Sequence, residues 1–326
     1  MALKTETVTL TQPTTGFVSL ATRYSAETYV PEGLTVLFAH STSNHKEQWD
    51  VTIRRLFGLC PNIINEAWAI DWQSHGQSAL ANGEALRSRT ATLSDYADIL
   101  RRLLESPDMK GKRIVVVGHS SSTLAWTLAV LQAVIPPSVI EAVILVEAAF
   151  ILPPIKENDE RVVRGIMNEK GVKSRKHTFP SRDEAAKWCR RRMPWKVWDD
   201  RIFKCYMEYA YRPVTSGSNE VTLNCTLEQE IVGYAPNVPL LAGHLYPKLC
   251  ATYPVHGIFG ERPELYSNAT RDMFFDGKDG RVMKSVQILP KAGHLLVQEF
   301  PDTTADMLAK ILKNSRLQAK SSSSRL

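Results

Sequence analysis

Three kinds of residue in this chain carry the reactivity for acyl transfer: a serine central to a tight turn, a late histidine, and carboxylates between or beside them. The serine is Ser120, in Gly118-His119-Ser120-Ser121-Ser122. The histidine is His294, in Lys291-Ala-Gly-His294. A serine hydroxyl is a poor nucleophile at neutral pH until a neighbouring base takes its proton. An imidazole can serve as that base and return the proton to the leaving group. A carboxylate is then needed to hold the imidazole in the right tautomer. Three candidates follow a strand-like run: Glu147, Glu261 and Glu264. Nucleophile, acid and histidine then occur in the chain order Ser…Glu…His that one triad arrangement uses.

The elements that must position these groups are legible. Ile114-Val-Val-Val117 is an uninterrupted β-branched run, as expected of a strand buried on both faces of a parallel sheet. Thr123 to Val134 is Leu- and Ala-rich and reads as a helix. Strand, sharp turn and helix place Ser120 at the carboxyl end of the strand, where helical N–H groups also point. The usual Gly-x-Ser-x-Gly pattern ends here in Ser122, the next smallest polar substitute. A bland reading also exists, a serine-rich helix cap after a core strand.

Further strands are expected at Leu34–Ala39, 66–70, 142–146, 255–259 and 285–289, and residues 6–30 read as an antiparallel hairpin. Helical patterns alternate with them: Trp49, Ile53, Leu56 and Phe57 in one segment, and Tyr96, Ile99, Leu100, Leu103 and Leu104 behind a Thr92…Asp95 capping box in another. This alternation predicts an α/β architecture, a mostly parallel sheet flanked by helices. It breaks after Phe150. Residues 1–150 therefore read as the first part of the core, 151–250 as an inserted, mainly helical cap, 251–316 as the second part of the core, and 317–326 as a flexible tail.

In such a sheet the chemistry gathers at the carboxyl ends of the strands. His40-Ser41-Thr42, Asp71, Ser120, Glu147, Gly260-Glu261-Arg262 and His294 all fall there. Glu147 closes the apolar run Val143–Val146 and, near a buried sheet end, needs a partner. Glu261 and Glu264 flank Pro263, which cannot orient an imidazole. All three carboxylates stay open on this reasoning.

Over roughly residues 25 to 316 the chain resembles the α/β-hydrolase superfamily. The likeness rests on the elbow, on Asp71…His75-Gly76-Gln-Ser78, on the cap insertion and on Gly293-His294. His40…His45-Lys46-Glu47…Trp49 and Trp198-Asp199 resemble one branch in particular, the fungal peroxisomal hydrolases of toxin and mycophenolic-acid biosynthesis and the yeast peroxisomal lipases. The resemblance implies Ser120 as nucleophile and His294 as base. Since that branch places its acid after the earlier strand, it implies Glu147 as the acid. It also implies an oxyanion hole from the N–H of Ser121 and one from the loop at Ser41, where many relatives carry glycine. His40 and His45 are expected to structure that loop, Asp71 to hold loops together, and His119 to shape the pocket beside the elbow.

The rest of the composition narrows the setting. Charged residues make up 23% of the 326 and the formal charge is +6, with no basic stripe carrying interleaved aromatics. Nucleic acid is therefore not expected as a partner. Cys60, Cys189, Cys205, Cys225 and Cys250 show no ligand spacing, so neither a metal nor a cofactor is expected and the thiols should be free. No apolar run is long enough for a membrane span. The chain ends in Ser324-Arg325-Leu326, which resembles the Ser-Lys-Leu peroxisomal address and implies the peroxisomal import receptor as a partner and the peroxisome as the location. The expected substrate is an acyl-CoA thioester or carboxylic ester. The rival readings are a lipase or esterase on neutral esters and a non-hydrolytic binding or cyclising protein. Arg190, Arg191 and Arg192 read as a solvated helix face or as contacts for the phosphates of coenzyme A.

Overall fold

The computed structural model describes the backbone of residues 3–155 and 159–323. Eight strands form the main sheet: β1 (Leu3–Thr11), β2 (Val18–Ala26), β3 (Leu34–Ala39), β4 (Ile64–Ile70), β5 (Arg113–His119), β6 (Ile140–Val146), β7 (Val255–Gly260) and β8 (Ser285–Leu289). Their spatial order is β1-β2-β4-β3-β5-β6-β7-β8. The hairpin β1–β2 is antiparallel and joins β4 antiparallel, and every other pair is parallel.

Alternate residues of the central strands feed opposite faces. Ile114 and Val116 pack with Leu37 in one cluster, and Val115 and Val117 pack with Val36 and Phe38 in the other. That explains the unbroken β-branched run, since both faces are covered. Helix α1 (Asp50–Leu59) covers the second face; α2 (Leu93–Leu104) and α3 (Ser121–Gln132) cover the first. The α2 start is a capping box. The Thr92 hydroxyl accepts the Asp95 N–H at 3.2 Å, and the Asp95 carboxylate accepts the Thr92 N–H at 2.8 Å. Such a cap stabilises a helix by about 1 kcal/mol.

The segment after β6 departs from the α/β rhythm, and its boundary differs from the expectation. Helix α4 (Glu160–Ser174) and the short α5 (Leu227–Ile231) belong to it, as does a three-stranded antiparallel sheet of Thr178–Phe179, Val221–Leu223 and Tyr211–Pro213. Phe179, Trp195, Trp198, Tyr206 and Tyr211 pack into a separate small core there. The following helix, α6 (Asn237–Thr252), falls up to residue 250 within the expected cap, yet it buries Val238, Ala242, Tyr246 and Leu249 in the main core beside α3. Gly243 lets it approach closely, because a Cβ there would lie 2.1 Å from the Ile151 carbonyl oxygen. The packing therefore returns the chain to the core at about residue 237. A second difference lies at the end. Helix α7 (Pro301–Ser323) continues past residue 316 into the tail expected to be flexible. The terminal tripeptide Ser324-Arg325-Leu326 lies outside the described residues.

Candidate active site

Ser120 sits between β5 and α3 with φ 55° and ψ −119°. This strained turn is stabilised from four directions. The Ser120 N–H donates to the Val146 carbonyl at 2.9 Å, and its own carbonyl accepts the Thr123 hydroxyl at 2.6 Å. Gly118 is required by packing, since a Cβ there would meet the Ser122 carbonyl oxygen at 2.8 Å and the Thr123 nitrogen at 2.9 Å. Ser122 stands where the common pattern has glycine, and its hydroxyl is fully engaged. It accepts the His119 N–H at 2.7 Å and lies 2.8 Å from the Ala39 carbonyl at the end of β3. The departure from the pattern thus adds a tie between neighbouring strands. Nothing in the spacing of the sequence foretold that contact, because Ala39 lies 83 residues away.

The structure brings Ser120, His294 and Glu147 into one line. His294 Nε2 lies 2.9 Å from Ser120 Oγ, and His294 Nδ1 lies 2.9 Å from Glu147 Oε2. Glu147 follows β6 directly, is buried, and has φ 52°. Its second oxygen, Oε1, accepts the Gly260 N–H at 2.5 Å from the end of β7. One carboxylate oxygen therefore faces the imidazole and the other is held by backbone. The other two carboxylates have different work. Glu264 accepts the His294 backbone N–H at 3.0 Å and the Arg262 guanidinium at 2.7 Å. Glu261 accepts the Lys291 N–H at 2.8 Å. Both shape the loop that carries His294, and neither meets its ring. Gly293 is part of that design, because a Cβ there would fall 2.2 Å from the Glu264 carboxyl.

His119 and His40 support the site from behind. His119 Nε2 donates to the His294 carbonyl at 2.9 Å. Burial holds its imidazole neutral, with the pKa lowered to about 3. His40 donates from Nδ1 to the Ser41 carbonyl at 2.8 Å and accepts the Trp72 N–H on Nε2 at 3.0 Å. Its pKa is likewise lowered to about 3 by burial. These bonds fix one neutral tautomer in each ring.

The Ser41 loop rests on buried charge. Lys46 has its ammonium against Glu47 and within 3.7 Å of Asp71. Burial is the largest influence on Asp71 and raises its pKa to about 6; it also accepts the Lys46 N–H at 2.8 Å. Glu47, although burial opposes its ionisation, is held down to about 2 by the hydrogen bond and charge of His45 and by Lys46. Within the loop the Thr42 N–H donates to Ser121 Oγ at 2.9 Å, which ties the loop to the first residue of α3. Ser41 and Ser121 both line the cavity that opens over Ser120 and His294.

That cavity has a volume of about 800 Å³. Its roof is the cap. Helix α4, Trp188, Trp195, Trp198 and Tyr206 line it from the cap side. Of the three consecutive arginines, Arg190 is absorbed by structure, with its guanidinium 3.8 Å over the Phe203 ring and paired to Asp200. Arg191 is exposed. Arg192 lines the cavity and lies 4.2 Å over the Trp188 ring. Arg164 and Lys176 line the same cavity. A buried ion pair, Arg175 with Glu230, closes another part of the wall, and Glu230 also accepts the Ser43 hydroxyl. Sequence reasoning missed this pair, whose members lie 55 residues apart in separate cap segments. Among the described residues no group of His, Cys, Asp and Glu could hold a metal ion, and no helix is long and apolar enough to cross a membrane. All five cysteines have free thiols.

A serine at a strained strand–helix turn, on a mostly parallel sheet and under an inserted cap, defines a hydrolase architecture. The chain belongs to the alpha/beta hydrolase family, whose model matches residues 36–307. No protein of curated function matches it by sequence. Among solved structures it is similar to the peroxisomal alpha-beta-hydrolase Lpx1 from Saccharomyces cerevisiae, with 21% identity and a TM-score of 0.72 over 97% of this chain and 90% of that one. It is also similar to the thioesterase domain from the curacin biosynthetic pathway (19% identity, TM-score 0.64, 96% and 100% covered). A third similar structure is the Mycobacterium tuberculosis esterase Rv0045c (15% identity, TM-score 0.67, 96% and 93% covered). At these identities the likeness establishes the fold.

Proposed function

We propose that the protein is a serine hydrolase that cleaves an acyl thioester, such as an acyl-CoA, through an acyl-enzyme on Ser120. The observation that carries the reading is the unbroken line Ser120 Oγ–His294 Nε2 and His294 Nδ1–Glu147 Oε2, each contact 2.9 Å, at the floor of a large cavity. His294 takes the Ser120 proton as the hydroxyl oxygen attacks the acyl carbon. The tetrahedral oxyanion is stabilised by the N–H of Ser121, at the start of α3, and the N–H of Ser41. Breakdown expels the thiolate, which receives the proton from the imidazolium. Water then enters, His294 removes its proton, and the acid is released with Ser120 restored. Glu147 holds the imidazolium between these steps.

Thioester over oxygen ester is supported by Arg164, Lys176 and Arg192 on the cavity wall, which suit the phosphates of coenzyme A. The peroxisomal setting is supported by the terminal Ser324-Arg325-Leu326 and by the likeness to a peroxisomal hydrolase. Its import receptor would read the tripeptide. The test is intact-mass spectrometry of the protein with a fluorophosphonate and with a panel of acyl-CoAs. Labelling of Ser120 and turnover of thioesters are expected. Labelling with turnover of simple esters alone would instead make it an esterase or lipase, and no labelling at all would refute the nucleophile.

A further inference from the structure

The cap reaches the loop after β3 through a buried carboxylate. Glu230, on α5, is 1% exposed. Its Oε1 accepts the Ser43 hydroxyl and Arg175 Nη1, the latter at 2.9 Å, and its Oε2 accepts Arg175 Nη2. Arg175 directly follows α4, so the bonds run from the roof helix through Glu230 to the loop. The Tyr234 hydroxyl lies 3.3 Å from the same Ser43 oxygen. This foot of the cap is fixed from behind as well. Gln229 accepts the Ala91 N–H at 3.0 Å and donates to the Leu86 and Arg89 carbonyls at 2.8 and 3.1 Å. Gly233 presses on the loop beside Ser43, since a Cβ there would fall 2.6 Å from Thr42 Oγ1.

Ser43 is a residue that needs holding. Its φ is 69°, a left-handed backbone that a side chain with a Cβ keeps only when its surroundings enforce it. Its N–H donates to His75 Nε2 at 3.2 Å and its hydroxyl to Glu230. The Thr42 N–H just before it is spent on Ser121 Oγ. The backbone path through Thr42 and Ser43 therefore sets where the Ser41 N–H points. A donor to an oxyanion works only when aimed, because a hydrogen bond weakens steeply as its angle bends. We infer that Glu230 is a positioning residue for the oxyanion hole, which from the cap holds Ser43 and through it aims the Ser41 N–H. This rests on the proposed acyl-enzyme chemistry and adds a residue to it. A carboxylate suits the task, since it accepts from the loop and from Arg175 at once.

The experiment compares Ser43→Ala with the wild type, and Glu230→Gln with Glu230→Met. The last two are both made in an Arg175→Met protein, so that neither leaves a lone buried charge. Glutamine keeps an acceptor for the Ser43 hydroxyl and methionine does not. Ser43→Ala should lower kcat on a thioester by about ten-fold, less than the 10²–10³ that losing a donor outright costs, with KM within about two-fold. It should weaken inhibition by an alkyl trifluoromethyl ketone, whose hemiketal oxyanion occupies the hole, by the same factor. The glutamine protein should exceed the methionine protein about ten-fold in kcat, and adding Ser43→Ala to the methionine protein should cost almost nothing further. Hydrogen exchange of the peptide containing Ser41 and Thr42 reads the loop without turnover. It should quicken in Ser43→Ala and run slower in the glutamine than in the methionine protein. Circular dichroism checks that each variant is folded. The inference is overturned if Ser43→Ala leaves kcat and exchange unchanged, if its loss lies in KM alone, or if the glutamine and methionine proteins behave alike. Fluorophosphonate labelling of the wild type tests the hydrolase reading separately. Without labelling, the exchange comparison still decides whether Glu230 holds the loop.

Discussion

Replacing Glu147 by glutamine should nearly silence the enzyme while leaving it folded, and the geometry says why. The carboxylate accepts at both oxygens, from the Gly260 N–H at 2.5 Å and from His294 Nδ1 at 2.9 Å. A glutamine has one acceptor and one donor. If its carbonyl stays on Gly260, its amide NH2 faces Nδ1, which moves the imidazole proton to Nε2. His294 then has no lone pair for the Ser120 hydroxyl. If the amide turns over, its NH2 opposes the Gly260 N–H and a buried donor is left unpaired. The first arrangement is a wrong-tautomer triad, for which losses near 10⁴ in kcat are known. We therefore expect kcat to fall by about 10³ to 10⁴, roughly 4 to 5.5 kcal/mol of transition-state stabilisation. Turnover of a thioester under saturating conditions measures it, with thermal unfolding as the control. Glu264→Gln is the comparison. It weakens a bond to the His294 backbone and should cost about ten-fold or less, in keeping with one exposed hydrogen bond. A Glu147→Gln protein retaining a tenth of its activity beside a dead Glu264→Gln protein would refute the assignment and move the acid to Glu264.

Other outcomes follow from the same structure. Gly118→Ala drives a Cβ into the backbone of Ser122 and Thr123 and should destabilise by about 1–3 kcal/mol and depress labelling of Ser120, read by calorimetry and a fluorophosphonate probe. Ser122→Ala removes a buried hydroxyl that serves the His119 N–H and the Ala39 carbonyl, and a loss of about 1–3 kcal/mol in chemical denaturation is expected. Lys46→Met strands two carboxylates, Glu47 and Asp71, and should cost about 3–5 kcal/mol, whereas a surface change such as Lys187→Met should cost almost nothing. Stability should fall on acidification below pH 6.5. His40 and His119 have folded pKa values of about 3, so the unfolded chain binds more protons between that value and 6.5. Each contributes up to about 1.36 kcal/mol per pH unit in that window. Asp71, raised to about 6, acts in the opposite direction below pH 6 but is a single group. A urea midpoint at pH 5.5 equal to or above that at pH 7.5 would contradict this.

Much of the fold is legible in the sequence, and for identifiable reasons. The strands β3, β5 and β6 are buried on both faces, so each carries an apolar run, Val36–Ala39, Ile114–Val117 and Ala142–Val146. Helix α2 declared itself by a capping box and one apolar face. The return to the core at α6 is not legible, because Asn237–Thr252 is apolar on most sides and lacks a strand before it. Ser120 and His294 stand out because each follows a strand, whereas Glu147 shares that position with Glu261 and Glu264 and is singled out only by the family resemblance. What stayed hidden was lateral. Arg175 with Glu230, Ser122 with Ala39, and Lys46 with Asp71 join segments far apart in the chain, and no periodicity encodes such meetings.

The stitching between Ser122 and Ala39, and between Ser121 and Thr42, has an evolutionary consequence. The elbow is braced by its own neighbouring strands, and the Ser41 loop touches the roof through Ser43 and Glu230. Recognition, by contrast, hangs on α4, α5 and the Trp188–Trp198 stretch, segments outside the main sheet. Mutations there that leave Glu230 in place can change what the cavity admits without moving Ser120. A lineage with this division can diversify its substrates while inheriting its reaction intact, and a designer can graft new roofs onto the same floor.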